Sequence, residues 1–232
     1  EEIPVPDEAS LWPLFYGAQG VEQGRPPLEG ESPDEVTALA FHLRMTGRLF
    51  VYPADTPAEK HTRVILDLDD GRRVFFDDAR KFGQARAVSP AGLEQWDFWK
   101  KLGPEPLEMT DEAFAARFSS GRAVKALLLD QSVVAGGGNI YADESLFRAG
   151  IRPGTPGRAL SRQRLAKLHR ALVEVLLASI GECGSSIRDY RTARGDVGAF
   201  QNRFFAYGRA GETCLVCGRK LHSGRVAGRA TA

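Results

Sequence analysis

Cysteine is scarce in this chain. Three in 232 residues are too few for a disulfide framework, and a reducing cytosol is the expected location. Long apolar runs are missing as well. None approaches the roughly 20 residues of a membrane-spanning helix, and no secretory signal is visible, so no membrane role is expected. No internal repeat is present, which argues against a solenoid or propeller, and there is no low-complexity tract. Net charge is small, +1 at pH 7, and by itself it argues nothing for a polyanionic partner.

The distribution of that charge says more. Residues 1–36 hold nine acids and a single base, Arg25, which leaves the rest of the chain nine charges positive. A basic body of this kind suits a polyanion. Residues 1–36 are also rich in Pro and Gly and have no sustained period, so they read as loops or poorly ordered chain. Hydrophobic content of 43% is that of an ordinary globular protein, with length for one large domain or two smaller ones.

From Thr37 to Tyr52 the pattern is strand-rich, with Leu39, Phe41, Leu43 and Met45 alternating. Thr62–Leu68 and Arg72–Asp77 read as strands joined by Asp69-Asp70-Gly71, a hairpin signal. Residues 91–110 carry Leu102-Gly103-Pro104-Glu105-Pro106-Leu107 and read as a breaker-rich linker. From Asp111 the pattern turns helical: Asp111–Phe118, Val124–Gln131, Asn139–Ala149, and a long helix capped by Ser161. In that last helix Leu165, Leu168, Leu172, Val175, Leu176 and Ile180 form a core stripe.

The most informative stretch runs from Val124-Lys125-Ala126-Leu127-Leu128-Leu129-Asp130-Gln131 into Val134-Ala135-Gly136-Gly137-Gly138-Asn139-Ile140-Tyr141-Ala142-Asp143-Glu144. Three glycines allow two helices to meet closely and turn sharply. Asn139 is expected to cap the second helix, whose free N–H groups and positive dipole end suit a phosphate. Lys125 sits one helix upstream. Such a hairpin is built to hold an anion, and a nucleic-acid backbone is the long anion that fits.

The same residues resemble the helix–two-turn–helix of the formamidopyrimidine-DNA glycosylase/endonuclease VIII family. Further segments extend the resemblance over roughly residues 38–232 but not 1–36. They are Phe41-His42-Leu43-Arg44-Met45-Thr46-Gly47-Arg48-Leu49, in which Arg44 replaces a family Gly, Asp78-Ala79-Arg80-Lys81-Phe82-Gly83, and the Leu102–Leu107 linker. The resemblance implies an α+β fold: an N-terminal β-sandwich lobe (1–90), a linker (91–110), a helical helix–two-turn–helix domain (111–203) and a partial zinc-ribbon hairpin (204–232). It also implies a monomer that acts on damaged double-stranded DNA in the bacterial cytoplasm, associated with the nucleoid.

Residue by residue, the resemblance assigns Met45, Arg80 and Phe82 to the hole left by an extruded base. Flipping a nucleotide costs a few kcal/mol of unstacking and unpairing, and apolar or planar side chains in the gap recover part of it. His61 and Lys81 match phosphate contacts, as do Lys125 and Asn139. Gly184-Ser185-Ser186-Ile187-Arg188-Asp189-Tyr190, with Gly195, Gly198, Phe200 and Gln201, resembles a lid that closes over the extruded base, which places Tyr190 at the DNA. Arg229 matches an arginine that grips the lesion phosphate and is implicated in elimination. Cys214 and Cys217 supply half of a four-cysteine site for one structural zinc ion, and His222 is the other ligand type nearby.

The family's reaction uses an N-terminal proline amine that attacks the sugar C1′. This sequence begins Glu1-Glu2-Ile3-Pro4. It is read as a partial chain; a complete protein that has lost catalysis and keeps DNA binding is the alternative. The expected function is excision of oxidised purines (8-oxoguanine, formamidopyrimidines) with strand nicking. The glycine-rich lid favours this over the endonuclease VIII branch, which prefers oxidised pyrimidines. A ribosome- or RNA-associated protein is a third reading, disfavoured by the Met45, Arg80 and Phe82 set.

Overall fold

The computed structural model describes residues 38–44, 46–182, 184–185 and 198–232. Residues 1–37, Met45, Tyr190 and most of the expected lid lie outside the described residues. The chain forms a mixed α and β fold that divides into two compact units, and the division falls between Trp99 and Lys100. No helix among the described residues is long and apolar enough to cross a membrane.

The first unit holds five strands in two antiparallel sheets. β1 (Ala38–His42) pairs with β5 (Gln84–Val88), and β2 (Gly47–Pro53), β4 (Arg72–Asp78) and β3 (Thr62–Asp67) pair in that spatial order. The expected hairpin forms at Asp69-Asp70-Gly71, where the Asp70 carboxylate accepts from Arg72 N at 3.0 Å. Phe50, Phe75, Phe76, Ala85 and Val88 are buried, and Phe41 of β1 meets Phe76 of β4 edge-on at 5.6 Å. The stretch expected to be strand-rich, Thr37 to Tyr52, holds two strands, which lie in different sheets. The break falls at Arg44, whose φ of 51° is left-handed and turns the chain out of the first sheet. Its amide bonds the His42 ring at 3.0 Å.

The expected linker also differs. Residues 90–101 form two short helices, α1 (Pro90–Gln95) and α2 (Asp97–Lys101). Ser89 caps α1 by accepting from Gly92 N at 3.0 Å, with proline in the first turn, a start signal that the breaker-rich reading passes over.

In the second unit α3 is Asp111–Ala116, α4 Val124–Leu128, α5 Asn139–Ala149 and α6 Arg162–Gly181, followed by the hairpin β6 (Gly224–Val226) and β7 (Arg229–Thr231). Phe114, Phe118, Val124, Leu127, Leu128, Leu146, Leu168 and Leu172 form one core. Ser161 caps α6 as expected, accepting from Arg164 N at 3.3 Å, and Leu165, Leu168, Leu172 and Val175 face the core. Ile180, placed on the same stripe, is 40% exposed.

Helix α4 ends three residues before the expected Gln131. The Asp130 carboxylate accepts from Ser132 N at 3.0 Å, and the Gln131 amide bridges Gly136 N (2.9 Å) and Gly137 O (3.0 Å). Side chains that bond the following backbone in this way compete with helix continuation. The turn is tight, since a Cβ on Gly137 would sit 2.1 Å from Leu128 O. Asn139 is the first residue of α5 and not its cap; Gly138 occupies the cap in extended conformation, and no side chain bonds there.

Candidate nucleic-acid interface

In the first unit the loop between β4 and β5 carries Arg80, Lys81 and Phe82, all exposed. The Arg80 guanidinium lies over the Phe82 ring, 4.8 Å from its centroid, and Phe82 is 52% exposed. A large ring held outward under a cation is costly to leave in water and suited to stacking. The loop is not loose. Asp78, 1% exposed, accepts from Thr46 Oγ1 (2.5 Å), Arg80 N (3.1 Å) and Gly83 N (2.7 Å). Burial pushes the Asp78 carboxyl up, but the bonds from Thr46, Gly83, Arg80 and Phe82 outweigh it and hold the carboxyl below its usual range. His61 is exposed, and its carbonyl accepts from Asp78 N at 2.9 Å.

His42, beside this turn, is lowered from 6.5 to about 4, by burial first and by the charge of Arg44 second. Its Nδ1 accepts from Arg44 N, which a neutral ring protonated on Nε2 allows.

In the second unit the N-terminus of α5 and the β6–β7 hairpin are tied together. Lys125 is fully buried. Its Nζ pairs with Asp143 Oδ1 at 2.7 Å and donates to Ala230 O at 2.7 Å. Asn139 Nδ2 reaches the same carbonyl at 3.3 Å, and Thr231 Oγ1 donates to Asp143 Oδ1 at 2.6 Å. The hairpin turns on Ala227 and Gly228, both left-handed (φ 50° and 74°), as a two-residue primed turn requires. Arg229 follows that turn at once and is exposed. The carbonyl of Ala230, the residue after the exposed Arg229, is thus held at the Asn139 end of α5.

The sequence leads one to expect Lys125 at a phosphate, and its burial corrects that role. With its ammonium sealed in and engaged, it offers no contact to an external phosphate in this conformation; it positions residues that do reach the surface.

Glu144, the next residue of α5, is also fully buried. It accepts from Phe205 N (2.9 Å), Ala206 N (2.9 Å) and Tyr207 N (2.8 Å). Asp143 and Glu144 thus anchor the C-terminal segment at two places. The sequence reading includes both residues in its motif but gives neither a role. The available signal is two adjacent acids in a helix that has to pack on both sides.

Cys214 is buried and Cys217 exposed, both as free thiols. Cys214 N donates to Arg219 O at 2.8 Å, and Gly218 N donates to Cys214 O at 3.0 Å. The backbone and side chain of Arg219, then the Cys214 thiol, lower the Cys217 thiol from its ordinary value. A depressed thiol suits a metal ligand. Among the described residues, however, no group of three or more His, Cys, Asp or Glu side chains converges, and His222 joins none.

Comparison with known proteins places these features. The formamidopyrimidine-DNA glycosylase H2TH domain matches residues 102–191, and the formamidopyrimidine-DNA glycosylase N-terminal domain matches residues 29–85. The chain is 61% identical over 199 residues to a formamidopyrimidine-DNA glycosylase of Nitratidesulfovibrio vulgaris, covering 85% of this chain and 54% of that protein. It is 44% identical to the enzyme of that name from Geobacillus kaustophilus, covering 84% of this chain and 72% of that one. The chain thus spans about half the length of the first relative and nearly three quarters of the second. Among solved structures, the MutM (Fpg) protein of Thermus thermophilus superposes with a TM-score of 0.74 at 41% identity, covering 83% of this chain and 72% of that one. The Lactococcus lactis Fpg bound to DNA containing an abasic site gives 0.74 at 36% identity, with the same coverage. Shared sequence at this level across both units shows that the chain belongs to the formamidopyrimidine-DNA glycosylase family.

Proposed function

We propose that this chain acts in base-excision repair as a DNA glycosylase and abasic-site lyase, removing oxidised purines such as 8-oxoguanine and formamidopyrimidines from double-stranded DNA and nicking the strand. The observation that carries the reading is the Arg80–Phe82 pair, an exposed ring under a guanidinium on a loop locked by Asp78. A stacked, rigid projection of this kind fills the gap left by an extruded base, and the fork of Arg80 can bond the base left behind. Arg229 and the N-terminus of α5 would hold the backbone phosphate at the lesion. With a phosphate neutralised beside the abasic sugar, Arg229 would also favour departure of that phosphate in elimination.

On this reading the first unit is a β-sandwich lobe, α4 and α5 are the helix–two-turn–helix, and residues 204–232 belong to a zinc ribbon. Cys214 and Cys217 would give two ligands to one structural zinc ion, whose part is to hold the hairpin and not to react. Among the described residues we assign no nucleophile, since the buried amine, Lys125, is engaged by Asp143 and Ala230. The protein would act as a monomer in the bacterial cytoplasm.

Borohydride trapping on a duplex containing 8-oxoguanine tests the reading. A covalent complex, formed at least tenfold faster than on an oxidised pyrimidine, is the expected result. No trapping together with retained binding to an abasic-site duplex would replace the enzyme with a damaged-DNA binding protein of the same fold. A preference for the pyrimidine lesion would move it to the endonuclease VIII type.

A further inference from the structure

Every polar group of Asp78 is engaged, and each partner lies on a segment assigned a DNA contact or beside one. Its N–H donates to the carbonyl of His61 at 2.9 Å. Its carbonyl accepts from Arg63 Nε at 2.9 Å. Arg63 stands where the β3–β4 register shifts between Thr62 and Val64, and a bulge of this kind re-aims a side chain. The Asp78 carboxylate accepts from the hydroxyl of Thr46, the neighbour of Met45, and from the backbone N–H groups of Arg80 and Gly83 on either side of Phe82. Lys81, inside the loop, holds a left-handed φ of 56°. A non-glycine residue stays there only when its surroundings over-determine the turn.

One buried residue therefore joins three strand-connecting segments: its carboxylate binds those of Thr46 and of Arg80 with Phe82, and its backbone N–H binds that of His61. A hydrophobic residue of the same size would fill the space as well, but it would leave several N–H groups without an acceptor and the loop without a fixed shape.

We infer that Asp78 is the positioning residue of lesion recognition: through Thr46, His61 and the 80–83 backbone it sets the place at which Arg80 and Phe82 enter the duplex. The inference rests on the DNA-repair reading above. It adds that discrimination of a gapped site from intact duplex depends on a residue that does not itself touch DNA.

The test uses Asp78→Asn and Thr46→Val in the full chain. Asn keeps the size but loses the charge and one acceptor face. Val removes a single donor and leaves the carboxylate held by backbone, so it serves if Asp78→Asn fails to fold. Three quantities are measured: the ratio of affinities for abasic-site and intact duplex, the fluorescence of 2-aminopurine placed opposite the abasic site, and the melting temperature. Asp78→Asn is expected to reduce the affinity ratio at least tenfold and to halve the fluorescence change on binding, and Thr46→Val to reduce the ratio about threefold. A lower melting temperature with the wild-type ratio and fluorescence would make Asp78 merely structural and overturn the inference. A wild-type protein with no preference for the abasic site would instead overturn the underlying reading, and the inference with it.

Discussion

Replacing Lys125 by Met takes the ammonium out of a site with no solvent exposure. It leaves the Asp143 carboxylate, 1% exposed as a side chain, with the Thr231 hydroxyl as a donor but without its cation. It also removes the shorter of the two side-chain bonds to the Ala230 carbonyl, which holds the hairpin, and leaves that of Asn139. Removing one member of a buried ion pair costs about 3–5 kcal/mol, because a charge is left buried and unpaired. The pair itself is not strongly stabilising. Burial pushes the Lys125 amine below its ordinary value, and the attraction of Asp143 only partly restores it. It follows that Lys125→Met combined with Asp143→Asn should lie within about 1–2 kcal/mol of the wild type, since neither charge remains. The two single changes should then couple by at least about 2 kcal/mol in a double-mutant cycle. Hydrogen exchange at the amides of β7 and of the first turn of α5 reads this directly, because it reports opening of this junction without assuming that two units unfold as one. Coupling below about 0.5 kcal/mol, or exchange in Lys125→Met confined to regions away from β7, would refute the argument that Lys125 and Asp143 fix the hairpin to α5.

Three further outcomes follow from the geometry. Arg44→Gly should stabilise the first unit by about 0.5–1 kcal/mol, because φ at this residue is 51° and only glycine holds that conformation freely; a lower melting temperature would contradict this. The His42 imidazole should titrate near pH 4 by NMR and rise in Arg44→Gly. Its folded value lies below its unfolded one, so its contribution to stability is full above about 6.5 and is lost as pH falls towards 4; a midpoint near 6.5 would refute its burial as a neutral ring. Arg229→Ala should weaken duplex binding and reduce the slope of log K against log salt by about 0.9, one phosphate's worth, whereas Asn139→Ala should weaken binding with little change of slope. Equal slopes for both variants and the wild type would remove the phosphate contact of Arg229.

Local chemistry is well written in the sequence. The limits of α5 follow from the glycine run before it and Gly150 after it, and Ser161 and the Asp69-Asp70-Gly71 turn act through neighbours a few residues away. Errors arise where a distant partner decides. The alternation across Leu43 and Met45 continues in the sequence, but pairing of β1 with β5 and of β2 with β4 pulls its halves into different sheets. Lysine is among the residues least expected to be fully buried, so Lys125 reads as a surface cation until Asp143 and a carbonyl 105 positions away close over it. Asp78 stands in a motif whose evident members are the residues after it, and its own role rests on Thr46 and His61, which no spacing rule connects to it.

The proposed function requires that this protein recognise damaged duplex DNA by filling a gap. The most direct measurement is the affinity of the full chain for a duplex with one abasic site against the same duplex intact, at fixed salt and with the Arg80→Ala and Phe82→Ala variants alongside. Binding to the abasic site should be at least tenfold tighter, about 1.4 kcal/mol or more, and either variant should lose most of that preference. Equal affinity for the two duplexes in the wild-type protein, or a preference untouched by both substitutions, would contradict it.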